Sequence, residues 1–211
     1  MIHDILHHCR RGVVRISNGI SKCIPKDKEL LLFSAWFGKK FQDSSRFVFE
    51  YCLYHSEFKP YWFARDKKLY LDLKGKNIPV VYSRSIKGIY FQLRSIMKIS
   101  SVQLADFPPY FLGGSIYLDL GHGFAIKQSG FEQPDTTERS LKYTLLVRSY
   151  VHYYMSSAST WSKENTKRAF RITDDQLVFC NKPRTDVLFD CDLCIKVTLN
   201  GIHYQGICLM A

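Results

Sequence analysis

A histidine between two glycines is the residue of this sequence best suited to proton transfer. His122 follows an alternating apolar run over 116–120 and has Gly121 and Gly123 on either side. The alternation predicts a β-strand, and the glycines let the backbone turn sharply and let a ligand approach the imidazole. Lys127 follows shortly afterwards and is positioned to meet an anion. A neutral imidazole accepts a proton near pH 7, so this spacing suits proton transfer beside a phosphate, with an ordinary turn histidine as the alternative.

A second candidate site lies between Phe33 and Tyr54, where an apolar strand, a glycine-containing loop and a helix follow one another. A helix N-terminus after such a loop offers backbone N–H groups to an anion. Gly38 and Lys39 are therefore expected to hold a phosphate, and Arg46 to add a bidentate clamp. The alternative is a strand-to-helix turn with solvated lysines.

A third candidate lies near the end of the chain, in the segment Lys-Pro-Arg-Thr-Asp at 182–186. Arg184 and Asp186 carry opposite charges two positions apart. They either contact a substrate or form an ion pair that fixes a turn.

Together these three segments resemble the CDP-glycerol glycerophosphotransferase family, the teichoic-acid-type polymerases and primases with relatives in capsule and lipopolysaccharide synthesis. The resemblance rests on the patterns H-G-x-x-x-K-x-x-G at 122–130, G-K-x-x-x-D-x-x-R at 38–46 and P-R-x-D at 183–186. Three matches in the right order are more specific than any one alone. The chain departs from the family at Gly121, where a bulky aromatic residue is usual, and at Cys180-Asn181, where a glycine is usual.

The resemblance implies an α/β fold with a Rossmann-like parallel sheet, the first half of a GT-B-type fold. It implies a 2.7.8-type transfer of glycerol phosphate from CDP-glycerol to a hydroxyl of a polyol-phosphate or lipid-linked glycan acceptor, with release of CMP. His122 would act as the base, and Lys127 would support the charge of the phosphate. The remaining expected substrate-binding residues are Gly38, Lys39, Asp43, Arg46, Gly123, Arg184 and Asp186. No cofactor and no metal are expected.

Length and composition are those of a globular protein. The chain has 211 residues, of which 46% are hydrophobic and 23% charged. No apolar run reaches the length of a membrane span, and the N-terminus lacks a signal-peptide apolar region. Seven cysteines at irregular spacings do not form a disulfide framework. These observations predict a cytoplasmic protein.

The positive charge is confined to the first half of the chain. Residues 1–100 hold 19 Lys and Arg against 8 Asp and Glu, whereas residues 101–211 hold 11 of each. Such a field attracts an anionic surface or polymer. Residues 1–28 mix basic and apolar side chains, so they form either an amphipathic segment on the inner face of an anionic membrane or a helix packed on the domain.

Two further functional alternatives remain at this stage. One is a non-catalytic basic module that binds an anionic membrane or nucleic acid. Nucleic acid is not expected as a partner, because the sequence contains no RNA-binding or helix-turn-helix signature. The other is a GT-B glycosyltransferase that uses a nucleotide sugar.

Strands and helices alternate along the sequence, which predicts a parallel sheet covered on both faces. Strands are expected at 30–36, 61–63, 80–82, 116–120, 151–157 and 176–179. Four helices are expected. The first has Asp43 or Ser44 as its N-cap and ends near 55, and the second is short and ends at Gly75. The third runs from Ser85 to 98, and the fourth begins at Thr160 or Ser162. In the helix from Ser85, the apolar face would carry Ile86, Tyr90 or Ile89, Leu93 and Met97, and the other face Lys87, Arg94 and Lys98. The polar stretch 132–140 is expected to be a loop beside the site.

Three regions are therefore predicted: a basic N-terminal segment at 1–28, an acceptor-side domain at 29–188 and an atypical tail at 189–211. The tail does not resemble the continuation of the family, whose second domain carries the nucleotide site. A truncated or frame-shifted chain is the expectation here. Cys191, Cys194, His203 and Cys208 do not have the spacing of a standard zinc finger, so no zinc site is expected.

Overall fold

The computed structural model describes residues 2–102, 105–123, 130–132, 138–156, 159–188, 194–199 and 202–207. In chain order the helices are α1 (Ile2–Cys23), α2 (Asp43–His55), α3 (Lys67–Gly75), α4 (Ile86–Arg94), α5 (Glu138–Arg148) and α6 (Thr160–Phe170). The strands are β1 (Asp27–Ser34), β2 (Lys59–Ala64), β3 (Val80–Tyr82), β4 (Ser95–Ser100), β5 (Ile116–Asp119), β6 (Tyr153–Ser156), β7 (Leu177–Phe179), β8 (Cys194–Leu199) and β9 (Ile202–Ile207). Short 3-10 helices span Trp36–Gly38, Gly130–Glu132, Asp174–Gln176 and Pro183–Leu188.

Seven strands form one sheet in the order β3-β2-β1-β4-β5-β6-β7, and every neighbouring pair is parallel. This confirms the predicted α/β fold. All seven carboxyl ends therefore meet at one edge of the sheet, where a doubly wound fold places its ligands. Strands β8 and β9 form a separate antiparallel pair.

The sheet buries apolar side chains on both faces, as a parallel sheet between helices requires. Successive residues of β1 point to opposite sides: Phe33 joins a cluster with Phe49 and Trp62, whereas Leu32 joins a cluster with Phe63. All five side chains are fully buried. The two clusters fix the sheet between its helices and hold the carboxyl edge in place.

Helix α1 packs on the domain, one of the two alternatives for residues 1–28. The Asn18 side chain, fully buried, accepts hydrogen bonds from the backbone N–H groups of Leu112 (2.7 Å) and Gly113 (2.8 Å). Ser21 Oγ donates to the Gly113 carbonyl at 2.8 Å. A Cβ on Gly113 would lie 2.1 Å from the Asn18 carbonyl oxygen, so only glycine allows the helix to approach this closely. Among the described residues, no helix combines the length and apolarity needed to cross a bilayer.

The predicted helix over 85–98 is too long. Ser85 caps α4 as expected, its Oγ accepting from the Gly88 N–H at 3.0 Å, but the helix ends at Arg94 and β4 begins at Ser95. The predicted inward face is also wrong, since Ile86 is 89% exposed. Gly88 faces inward instead, because α4 approaches β3 so closely that a Cβ there would meet the Tyr82 carbonyl.

Three other boundaries differ from the expectation. Strand β1 begins at Asp27 and ends at Ser34. The N-cap of α2 is Gln42, which makes no side-chain cap bond, while the Asp43 carboxylate accepts from the Ser44 N–H and also has partners outside the helix. Residues 138–140 belong to α5 rather than to a loop.

Candidate functional site

His122 lies at the carboxyl edge of the sheet, directly after β5. Gly121 has a φ of 63° and Gly123 a φ of 155°, so both glycines adopt backbone conformations that other residues rarely take. The His122 side chain is exposed. The sharp turn predicted from the two glycines is therefore present, and it presents the imidazole to solvent.

The loop after β1 places an aromatic ring against this imidazole. The rings of Trp36 and His122 meet edge to face, with centroids 5.9 Å apart. Trp36, Phe37 and Gly38 all have positive φ, at 50°, 62° and 70°. Such values are costly for residues with a Cβ, so other contacts must hold this loop in place.

Asp106 supplies that support. Its carboxylate is fully buried and accepts hydrogen bonds from the N–H groups of Phe37 (2.6 Å), Ser101 (2.9 Å) and Val102 (2.8 Å). Burial raises the pKa of Asp106, and the three N–H bonds oppose this effect. The loops after β1 and β4 are thereby tied to one side chain, which keeps Trp36 beside His122.

Asp43 joins two of the three predicted segments. Its side chain is 2% exposed and pairs with Arg184, with 3.2 Å between Oδ1 and Nη1. It also accepts from Trp36 Nε1 at 3.1 Å. Arg184 in turn lies beside the His122 loop, because a Cβ on Gly123 would be 3.3 Å from its Nη2. Asp43 therefore holds both the tryptophan and the guanidinium that flank the histidine.

Lys182 fills the space beside Gly121, where the sequence departs from the family pattern. Its Nζ donates to the Leu120 carbonyl at 2.6 Å and lies 3.1 Å from where a Cβ of Gly121 would stand. Burial lowers the pKa of Lys182. In this chain the lysine therefore occupies the position into which a side chain at 121 would extend.

The remaining predicted residues of the second segment have other partners. Gly38 accepts from the Arg65 N–H through its carbonyl at 2.8 Å, and a Cβ on Gly38 would lie 2.6 Å from the Arg65 side chain. Lys39 is exposed. Arg46 is exposed and pairs with Glu50 at 2.7 Å.

The N-terminus of α2 is partly used by the protein itself. Asp43 Oδ1 accepts from the Ser44 N–H at 2.8 Å, and Ser101 Oγ accepts from the Ser45 N–H at 3.1 Å. An anion at this helix end would therefore be held mainly by side chains.

Two predicted site residues, Lys127 and Asp186, are described only in part or not at all. Lys127 is outside the described residues, as are Cys191 and Cys208 of the tail. Asp186 belongs to the 3-10 helix Pro183–Leu188, but its side chain is not described. Among the described residues, no group of three or more His, Cys, Asp or Glu side chains is arranged to hold a metal.

Sequence reasoning missed Trp36, Asp106 and Lys182. Trp36 looked like the last residue of a buried strand, and Lys182 like the start of a motif. The roles of Lys182 and Asp106 depend on contacts across 62 and 69 positions of chain, from Lys182 to Leu120 and from Asp106 to Phe37. Of the three, only Trp36 had a local signal in the sequence. It lies two positions before Gly38, and a glycine just after a strand predicts a tight turn.

The assembled site combines an exposed imidazole with a guanidinium held by a buried carboxylate. An imidazole can accept a proton from a hydroxyl, and a nearby guanidinium can stabilise charge on a phosphoryl group. The tryptophan ring meets the imidazole edge to face. This combination of groups suits proton transfer beside a phosphoryl group.

Comparison with known proteins points the same way. Residues 16–198 match the sequence profile of the CDP-glycerol:poly(glycerophosphate) glycerophosphotransferase family. A teichoic acid glycerol-phosphate transferase of Staphylococcus aureus (strain NCTC 8325 / PS 47) is 24% identical over 168 residues, which are 77% of this chain and 42% of that protein.

Solved structures of the wall teichoic acid polymerase TagF share the fold. One covers 90% of this chain and 47% of its own, with a TM-score of 0.62 and 18% identity. A variant soaked with CDPG covers 89% and 50%, with a TM-score of 0.63 and 17% identity. The chain thus spans about half the length of the relatives it matches, in agreement with the expected half of a GT-B-type fold.

Proposed function

Because the chain belongs to the CDP-glycerol:poly(glycerophosphate) glycerophosphotransferase family, we propose that it provides the acceptor side of a glycerol-phosphate transfer. The donor is CDP-glycerol, and the acceptor is a polyol phosphate or a lipid-linked glycan. The observation that carries the proposal is the exposed His122 at the carboxyl edge, flanked by Trp36 and by Arg184.

The proposed reaction is an in-line displacement at one phosphorus. The acceptor hydroxyl oxygen attacks the phosphorus that carries glycerol, and a new P–O bond forms. The bond from this phosphorus to the bridging oxygen breaks, so CMP leaves with that oxygen. His122 takes the proton of the attacking hydroxyl, which makes the oxygen a stronger nucleophile.

Cationic side chains stabilise the charge that spreads over the phosphoryl oxygens. Arg184 is the candidate that the site geometry supports, because Asp43 holds its guanidinium beside the His122 loop. Lys127 is proposed to support the charge of the phosphate, and Asp186 to bind substrate; both proposals rest on motif positions alone. Gly38 is proposed to act by shaping the loop, and Lys39 by contacting the acceptor.

We further propose that the protein works at the inner face of an anionic membrane, where a lipid-linked acceptor would be found. Helix α1 carries Val13, Ile16 and Ile20 on its exposed side, at 53%, 66% and 57% exposure. Arg10, Arg11 and Arg15 lie on the same helix, with Arg10 and Arg15 exposed and Arg11 half-buried. Apolar side chains next to basic ones are typical of a helix that lies in a membrane interface.

The proposed base is tested by replacing His122 and measuring CMP release from CDP-glycerol with an oligo(glycerol phosphate) acceptor. The assay uses the 211-residue chain, and also a chimera in which it is joined to the second half of the Staphylococcus aureus relative. His122→Ala is expected to lower kcat at least about 100-fold in whichever form is active, since general bases contribute at least this much. Undiminished CMP release would refute the role of His122.

A matched control and a donor competition complete the experiment. His55→Ala removes an exposed histidine from the end of α2, away from the site, and should leave the rate unchanged. Unlabelled CDP-glycerol should reduce transfer from labelled CDP-glycerol, whereas unlabelled nucleotide sugars should not. Transfer from a nucleotide sugar would favour the glycosyltransferase alternative instead.

A further inference from the structure

Seven exposed cations follow three neighbouring strands at the carboxyl edge of the sheet. They come after β1, β2 and β3, the three strands on one side of β4, and are Lys39, Lys40, Arg65, Lys67, Lys68, Arg84 and Lys87. Because the strands are parallel, their following loops all lie at the same edge as His122. We call this set the basic track.

The track is physically connected to the site. Lys40 Nζ lies 5.3 Å from the centroid of the Trp36 ring, and that ring contacts His122. Arg65, in the loop after β2, connects the loops after β1 and β4. It packs against Gly38, and its Nη1 donates to the Ala105 carbonyl at 2.8 Å. Positive charge therefore continues from the histidine towards the edge strand β3.

The cations of the track have no carboxylate partners in the part of the chain that the structure describes. Within the described residues, none of the seven forms an ion pair with a carboxylate, and Asp66 in the middle of the track is used to cap α3. Lysines at the opposite edge of the sheet differ. Lys59, at the start of β2, pairs with Glu29, and Lys76, before β3, pairs with Asp72.

The track ends at a cavity of about 540 Å³ beside β3. Its lining includes Tyr61, Tyr82, Ser85 and Lys87, and contains no acidic residue. Lys87 Nζ lies 5.6 Å from the centre of the Tyr61 ring. The phenol groups of Tyr61 and Tyr82, next to an ammonium with no carboxylate partner among the described residues, suit a ligand that alternates hydroxyl-rich and anionic units.

From this placement we propose that the basic track binds several successive phosphates of a linear polyol-phosphate chain, the distal part of the acceptor. The proposal rests on the proposed function for the identity of the polymer. From His122 after β5 to the last cations of the track after β3 there are four strand spacings, or about 19 Å at about 4.8 Å each. Affinity should therefore rise with acceptor length until the chain spans this distance, and then level off.

The test measures binding of glycerol-phosphate dimers, tetramers and octamers to the full chain at several salt concentrations, without any donor. Lys67→Gln with Lys68→Gln removes two charges from the track. For the octamer, the slope of log K against log salt should become shallower by about 1.4, since each lost contact with a flexible polyanion is worth about 0.7. The preference for the octamer over the dimer should also weaken.

A control pair removes the same charge from the opposite edge. Lys59→Gln with Lys76→Gln should leave the slope and the length preference unchanged. If both double variants lose the same amount of salt slope and length preference, net charge alone attracts the polymer, and the proposal that the track binds it is wrong. An affinity independent of length would overturn it too, and tighter binding of oligothymidylate than of the octamer would assign the surface to nucleic acid.

This binding experiment is independent of the chemistry at His122. If His122→Ala abolishes transfer but keeps octamer binding, both proposals stand. If the chain binds the octamer through the track but His122→Ala leaves transfer unchanged, only the proposed base fails. All substituted lysines are exposed, so the variants should fold as the wild type does.

Discussion

At the scale of single residues, the site depends on one carboxylate that serves two partners. Asp43 holds the Arg184 guanidinium and the Trp36 indole at once, and its side chain is almost fully buried. The motif that contains Asp43 and Arg46 predicted that both bind the acceptor. In the structure the two residues differ, because Arg46 is exposed and pairs with Glu50.

We predict that Asp43→Asn destabilises the protein, whereas Arg46→Gln hardly does. The asparagine side chain carries no charge and only one acceptor oxygen at this buried position, where Asp43 accepts from Trp36, Ser44 and the half-exposed Arg184, so the free energy of unfolding should fall by about 1–3 kcal/mol. Loss of the exposed Arg46 pair should cost about 0.5 kcal/mol or less. Urea denaturation of both variants gives the comparison, and similar values for the two would contradict the central role of Asp43.

At the scale of elements, the sequence predicts most of the fold and less of the site. The alternation of strand and helix was sufficient for the parallel sheet, because buried strands such as 61–63 and 80–82 are short apolar runs between turns. It was not sufficient for β4. Leu93 and Met97 continue the helical spacing of α4, and no glycine or proline separates helix from strand.

Lys98 shows why β4 was missed. A lysine in an apolar run indicates an exposed helical face, but here its side chain is fully buried in the sheet. Its Nζ is hydrogen bonded to the Gln92 carbonyl, to Ser95 Oγ and to Ser115 Oγ, at 2.7–3.0 Å. The contact with Ser115, 17 positions away, cannot be predicted from local spacing. The same limit applies to Asp106 and Lys182 in the site.

Lys98 should make stability depend on pH. Burial lowers its pKa well below the ordinary value of 10.5, so the unfolded chain binds more protons than the folded one between the two values. The contribution of Lys98 to stability is therefore complete above pH 10.5 and is lost as the pH falls through its folded pKa. In Lys98→Met the free energy of unfolding should rise less between pH 8 and 10, as measured by urea denaturation. An unchanged slope would show that Lys98 is not buried in this way.

At the scale of the whole molecule, the basic track and the exposed apolar side chains lie on different elements. The cations of the track lie at the carboxyl edge of the sheet, while the exposed apolar side chains of α1 lie on a helix packed against 109–113. A polymer and a membrane surface would therefore use different parts of the protein.

The apolar side of α1 is expected to drive membrane binding. Replacing Val13, Ile16 and Ile20 together by serine should weaken binding to vesicles that contain anionic lipid by at least about tenfold, because three apolar side chains no longer enter the interface. Co-sedimentation measures the effect. A control triple variant removes exposed apolar side chains elsewhere, at Leu71, Leu145 and Trp161. If both triple variants bind equally, α1 has no special role.

The shortness of the two edge strands affects how copies of the protein interact when they are concentrated on a membrane. β3 and β7 are each three residues long, and β3 is preceded by Pro79, which has no N–H to donate. Margins this short give an incoming strand from another copy few backbone groups to pair with. Many copies concentrated on one membrane should therefore stay separate instead of growing into extended aggregates.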